Sequence, residues 1–250
     1  DRLPVDGSFH NEVWRALEAH FETADHEAIL EALGIDLRPV GMGSSDAFRA
    51  RATHTRHGWR IVHPDGTLED EWGVHVRYDR QGRYYRFAHQ PLAETPLEEY
   101  TFPDLDAPGR FPPPAPGPRS PYARVAGISN LFKGCWHLRG LDRWMMDLLV
   151  NVDYAEALLD RMLAWSLALV RRLAGKRVDI LGLIGDISMQ QGMMISPTVW
   201  RALFKQREAQ LVAEARRLGI PHVYFHSDGN PSAILDDLVD PRQHVRQNRH

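Results

Sequence analysis

From residue 122 onward the chain repeats one alternation three times: a short apolar run, then a long amphipathic stretch. The runs are "ARVAGIS", "VDILGLIGD" and "HVYFHSDG". Each is short and rich in β-branched or aromatic residues, which predicts a buried strand. The stretches between them have helical spacing. In "DYAEALLDRMLAWSLALVRRLAG", Ala155, Leu158, Leu159, Met162, Leu169 and Leu173 share one face, and Gly175 follows the last turn. In "SPTVWRALFKQREAQLVAEARRLG", Ser196 is placed to cap, Pro197 to take the first helical position, and Gly219 to follow the end. "NPSAILDDLVD" opens one more helix, with Asn230 as its cap. Strand followed by helix, repeated, specifies a parallel sheet with crossover helices. A TIM-like barrel and a doubly wound sheet both satisfy that pattern. No GxGxxG follows any strand, so a dinucleotide fold lacks its usual signature.

The first half is organised differently. Residues 11–34 read as two helices, with Asp25 as a cap and Gly34 as a stop, and "DLRPVGM" as a short strand. Residues 58–90 are β-rich and broken at Asp65-Gly66 and Gln81-Gly82, which predicts an antiparallel hairpin or small meander. Residues 103–121 are dense in proline and read as a surface excursion within one domain. Counting "DLRPVGM", about four parallel strands are legible, against the eight of a closed barrel. "PRQHVRQNRH" at residues 241–250 has one apolar residue, Val245, and reads as a tail rather than core.

Totals narrow the function classes. There are 250 residues, with 30 basic against 33 acidic and a formal net charge of −3. No basic stripe suggests nucleic acid and no polybasic run suggests a membrane surface. The single cysteine, Cys135, excludes an intramolecular disulfide and any multi-cysteine metal cage. No basic-then-apolar signal pattern opens the sequence and no apolar run approaches a membrane span. A cytoplasmic protein is the expectation.

Alternation within strands decides which side chains share a face. His222, Tyr224, His226 and Asp228 point one way, as do Ile180, Gly182, Ile184 and Asp186. Parallel α/β folds bind ligands at the carboxyl ends of their strands. Asp186, His226 and Asp228 are therefore the candidate catalytic residues. The bland reading of Asp228-Gly229-Asn230 is turn chemistry, but two strand ends carrying ionisable groups favour a site. Other candidates are weaker. His54 and His57 lie on a polar stretch that reads as solvated surface. Glu69–Trp72 reads as a hairpin face, and Cys135 as an inert buried thiol. Met189, Met193 and Met194 read as adaptable packing around Gln190 and Gln191.

"GDISMQQGMMISPTVWRALFKQR" and "GIPHVYFHSDGN" resemble the uroporphyrinogen decarboxylase superfamily, which includes corrinoid-dependent methyltransferases. "DEWGV", "HQPLAE" and "WHLRGLDRWMMDL" resemble its methyltransferase-type branch. The resemblance runs from about Asp1 to Asp240, so it treats residues 1–240 as one barrel domain and 241–250 as foreign to it. It implies a (β/α)8 TIM barrel, incomplete at the C-terminus. It also implies methyl transfer from a small methylated substrate to a corrinoid carried by a partner protein. Gln190, Tyr224 and Arg139 become candidate substrate-binding residues, and His226 and Asp228 candidate zinc ligands. Two departures matter. The Arg-Gln-Ala-Gly-Arg run of the porphyrinogen decarboxylases is absent. The His-x-Cys pair of thiol-directed methyltransferases is here His226 and Asp228, without the later cysteine. The alternatives are uroporphyrinogen decarboxylation, with Arg60 and Arg139 available for carboxylates, and an inactive fragment with open sheet edges.

Overall fold

A computed structural model describes residues 3–7, 9–111 and 121–239. Helices α1 (Asn11–His20) and α2 (His26–Ala32) lead into strand β1 (Leu37–Val40) and a single turn, α3 (Asp46–Arg49). The Asp25 carboxylate accepts from the N–H groups of Glu27 and Ala28 and so caps α2, as its position in the sequence predicts. Five short strands follow: β2 (Thr53–Thr55), β3 (Gly58–Val62), β4 (Leu68–Glu69), β5 (His75–Tyr78) and β6 (Tyr85–His89). They pair in chain order as one antiparallel meander. Asp65-Gly66 and Gln81-Gly82 lie at its turns, and Gly66 and Gly82 have φ of +83° and +69°, the left-handed conformation that favours glycine there. The expected hairpin of 58–90 is thus larger, beginning at Thr53.

The second half is β7 (Ala123–Ser129), α4 (Leu131–Arg139), α5 (Leu141–Val150), α6 (Val152–Ala174), β8 (Ile180–Ile184), β9 (Ser188–Met189), β10 (Gly192–Met193), α7 (Pro197–Leu203), α8 (Lys205–Arg217), β11 (His222–His226) and α9 (Leu235–Val239). Strands β1, β7, β8 and β11 form one parallel sheet in that order. The order never reverses along the chain. A doubly wound sheet reverses at its switch point; the four described strands show no reversal and match four successive strands of a barrel. A closed eight-stranded barrel is not formed by the described residues. Among them, β1 and β11 each pair with one strand only.

Some elements differ from the sequence expectation. The helix expected over 196–219 is two helices, α7 and α8, with Phe204 between them at φ −108°. Phe204 is fully buried, and packing of its ring fixes that break. Helix α4 has too mixed a composition to stand out in the sequence, and the "SMQQGM" stretch is a small hairpin, β9–β10. The six periodic residues of α6 are all buried, as expected. Residues 112–120 of the proline-rich run and the 241–250 tail lie outside the described residues. Its first part is not a loose excursion: Trp165 donates to the Pro103 carbonyl at 2.8 Å, and the Arg172 guanidinium pairs with Asp106. Arg110 is itself buried.

One hydrophobic cluster joins the two halves. It includes Val74, Val76, Leu92 and Tyr100 from the meander side, and Ile128, Phe132, Trp144, Leu183 and Phe204 from the parallel-sheet side. The parallel strands bury only the face turned toward the helices. Ala126, Ile128, Leu181 and Leu183 are at most 5% exposed, whereas Gly127, Ser129, Tyr224 and His226 on the other face are exposed. The apolar runs predict buried strands, and one face is open instead. Glycine accounts for much of the difference, because Gly127 and Gly182 are apolar without offering side chains to bury. No described helix is long and apolar enough to cross a membrane.

Candidate active site at the carboxyl ends of β8 and β11

The open face of the parallel sheet is built in rows by strand register. Gly127, Gly182 and Tyr224 occupy one row, and Ser129, Ile184 and His226 the next toward the carboxyl ends. Gly182 is needed where it is. A Cβ there would come within 2.5 Å of the Tyr224 ring, which lies across it. Gly127 likewise makes room for Ile184, whose Cδ1 a Cβ would meet at 2.6 Å. The floor is therefore flat, with a tyrosine laid along it. Burial raises the Tyr224 phenol above its ordinary pKa, with a smaller push from Asp6, so the group stays a neutral hydrogen-bonding hydroxyl.

Above this floor the loops after β8 and β11 are laced together. The Asp228 N–H donates to Asp186 Oδ1 at 2.8 Å. The Ile187 N–H donates to Ser227 Oγ at 3.1 Å, and Ser188 Oγ donates to the Asp228 carbonyl at 2.7 Å. The Asn230 N–H reaches the Met189 carbonyl at 2.8 Å. Asn130, fully buried at the end of β7, caps α4 by accepting from Lys133 N–H and donates to the Gly185 carbonyl at 2.6 Å. Three strand ends are thus held in fixed relation. Within this frame His226 Nε2 lies 3.9 Å from Asp228 Oδ1, with both side chains open to solvent at 47% and 84% exposure. The sequence candidates Asp186, His226 and Asp228 are brought together.

Gly229 makes the tight approach possible. Its φ is +83°, and a Cβ would fall 2.6 Å from the Met189 carbonyl carbon and oxygen. Gly229→Ala is expected to lower stability by about 1–2 kcal/mol from the left-handed backbone alone, read as a reduced urea midpoint. Displacement of the Met189 backbone should add to that loss.

The remaining candidates separate. Gln190 is exposed at the tip of the β9–β10 hairpin, one residue beyond the Met189 that anchors Asn230. Arg139 is not brought to the cluster. It ends α4, pairs with Asp147 at 2.7 Å, donates to the Leu92 carbonyl at 2.6 Å and lies 4.4 Å over the Tyr154 ring. That is a structural clamp. Arg60 donates to the Trp59 carbonyl on the meander. Among the described residues the two arginines share no hydrogen-bond partner, so they do not form a paired carboxylate clamp. Cys135 is fully buried, and burial pushes its thiol well up; it is the inert thiol the sequence suggested.

His226 and Asp228 offer two metal donors, and with Asp186 they do not gather three donor atoms to metal-binding spacing. Two donors do not make a zinc site, so the described residues do not fit zinc there.

Sequence reasoning missed a cavity of about 320 Å3 at the ends of β1 and β7, lined by Met42, Trp72, Ser129, His137, Met162 and Trp165, among others. It does not touch Asp186, His226 or Asp228. Asp70 lines it too, its carboxyl raised by burial against the pull of the Val74 and Trp72 N–H groups. Burial and nearby Lys133 push His137 down to about 4. This cavity lies between the carboxyl ends of β1 and β7, the β4–β5 turn and helices α4 and α6, beside the β8 and β11 ends rather than at them.

No protein-family model matches the sequence, and none of the curated proteins does. Among solved structures, a methyltransferase from Methanosarcina mazei matches with a TM-score of 0.63 at 15% identity, covering 98% of this chain and 70% of that one. At that identity the likeness is one of fold alone, an α/β architecture shared with that protein.

Proposed function

We propose that this protein catalyses methyl transfer at the carboxyl ends of β8 and β11. In this reading a small methylated substrate gives its methyl group to a corrinoid carried by a partner protein docked over the mouth. The observation that carries the reading is the convergence of Asp186, His226 and Asp228 on adjacent strand ends over an open glycine floor. The fold likeness to a methyltransferase and the motif resemblance in the sequence support the same class.

The corrinoid supplies the nucleophile that accepts the methyl group. The chain's own task is to hold the substrate and manage the heteroatom left behind. When the carbon–heteroatom bond breaks, its electron pair stays on the heteroatom, which then needs a proton. His226 is the proton donor in this scheme, with Asp228 Oδ1 3.9 Å from its Nε2. Asp186 is a positioning residue: its carboxylate holds the Asp228 N–H and so fixes the turn that carries Asp228. Tyr224 and Gln190 would contact the substrate from the floor and the rim. Gly127 and Gly182 let the Ile184 and Tyr224 side chains lie low across the sheet, which would keep the floor shallow beneath a substrate. No step runs through zinc.

The test is a methyl-transfer assay with cob(I)alamin against a panel of methylated amines, thiols and phenol ethers. His226→Ala should lower the rate by about 100-fold or more, the usual worth of a positioned proton donor, while circular dichroism stays unchanged. Conversion of uroporphyrinogen to coproporphyrinogen without any methyl transfer would overturn the reading in favour of decarboxylation.

A further inference from the structure

A second chemical cluster lies on the meander, away from the strand ends and independent of the proposed methyl transfer. His63, Glu69 and His75 are spaced six residues apart, and two consecutive turns fold them onto one another. Glu69 on β4 stands directly opposite His75 on β5, and Ile61 on β3 stands opposite Glu69. His63 lies two residues beyond Ile61, so it projects from the same face. The backbone that carries it is fixed, since its N–H donates to the Thr67 carbonyl and its carbonyl accepts from Gly66, both at 2.9 Å.

The donor atoms are close. His63 Nε2 is 2.8 Å from Glu69 Oε2, and His75 Nε2 is 3.5 Å from the same oxygen. One ligand atom from each residue lies within 4.8 Å of the others, and among the described residues this is the one group of three that does so. Tetrahedral zinc with bonds near 2.1 Å separates its donors by about 3.4 Å. The observed separations bracket that value. The imidazoles stack at 4.4 Å and 18°, so both rings present the same edge to the carboxylate. The three side chains are 19–30% exposed, partly sheltered yet open enough for an ion to enter. His89, opposite His75 on β6, backs it with ring centroids 4.9 Å apart.

From this geometry we infer that His63, Glu69 and His75 form a site for a divalent first-row transition ion, with zinc the best match to two imidazoles and a carboxylate. The fourth position faces solvent and would carry water. The ion would tie β3, β4 and β5 together at their shared face.

Untagged protein should be stripped with chelator, desalted and titrated with Zn2+ against a chromophoric zinc indicator. One equivalent should bind, and Co2+ should give visible absorption of a four- or five-coordinate nitrogen–oxygen site. His63→Ala, His75→Ala and Glu69→Gln should each weaken binding by more than about 100-fold, beyond the range expected for outer-shell partners. His226→Ala and Asp228→Ala should leave this equivalent in place, which separates it from the mouth. Histidine carbethoxylation of the wild-type protein by diethylpyrocarbonate, mapped by mass spectrometry, needs no variant: zinc should protect His63 and His75 and leave His54 reactive. Failure of the stripped protein to bind zinc at micromolar free ion would overturn the site. Undiminished binding by folded His63→Ala and His75→Ala, or no protection of His63 and His75, would do the same.

Discussion

Glu208→Gln is expected to stabilise the protein by roughly 4 kcal/mol above pH 8 and by almost nothing at pH 4.5. Glu208 sits in the first turn of α8, 4% exposed, with neither carboxyl oxygen hydrogen-bonded. Burial pushes its carboxyl up to about 8, and a weak interaction with the Leu131 N–H is all that opposes it. The sign follows from where the proton sits. Between pH 4.5 and 8 the unfolded chain releases the proton and the folded chain keeps it. Ionisation then favours the unfolded state, and stability falls as pH rises through that window. Glutamine fills the same space without an ionisable proton, so the fall disappears. His137 acts in the opposite direction. With its folded value at about 4, it stays neutral while the unfolded imidazole protonates below about 6.5. Its contribution is lost as pH drops from 6.5 to 4. In the wild type these two slopes largely cancel between pH 4.5 and 6.5, and the Glu208 loss shows alone from 6.5 to 8. In Glu208→Gln the His137 slope is uncovered, at about 1.4 kcal/mol per pH unit below 6.5. Urea midpoints at pH 5, 6.5 and 8.5 for both proteins check the whole pattern. Parallel curves at all three values would show that Glu208 ionises normally when folded.

Arg110→Ala is expected to cost about 3–5 kcal/mol, the usual loss when one member of a buried ion pair is removed. Arg110 meets Glu71 in a two-pronged arrangement, at 2.8 and 2.7 Å, with the side chains 3% and 16% exposed. The guanidinium also donates to the Gly43 and Asp104 carbonyls. Glu71 accepts in turn from the Ser45 N–H at 3.2 Å and from the Ser45 hydroxyl. The pair therefore joins three segments: the loop after β1, the β4–β5 turn and the start of the proline-rich run. Removing the arginine leaves a carboxylate with little access to water. Arg110→Met combined with Glu71→Gln removes both charges and should recover most of the loss. The comparison is by urea unfolding of the two single variants and the double variant. Equal losses in Arg110→Ala and the double variant would mean that packing, not charge, holds these segments.

The sequence by itself determined the repeated strand–helix alternation of the second half, the caps at Asp25 and Ser196, and the turns at Gly66 and Gly82. It also placed Asp186, His226 and Asp228 at strand ends. These are local properties: period 2 or 3.6 in the side chains, and backbone conformations that few residues tolerate. Partnership across strands was decided only by the tertiary structure. His63, Glu69 and His75 looked unrelated because their meeting depends on the pairing of three short strands, which no periodicity over two to five residues can specify. Arg139 looked free to bind a carboxylate because Asp147 is eight residues away along a chain that first turns at Gly140. Nothing in the sequence singles out Glu208, since its burial comes from neighbours distant in sequence. Periodicity tells a residue which way it faces, and only the packed fold supplies what it faces.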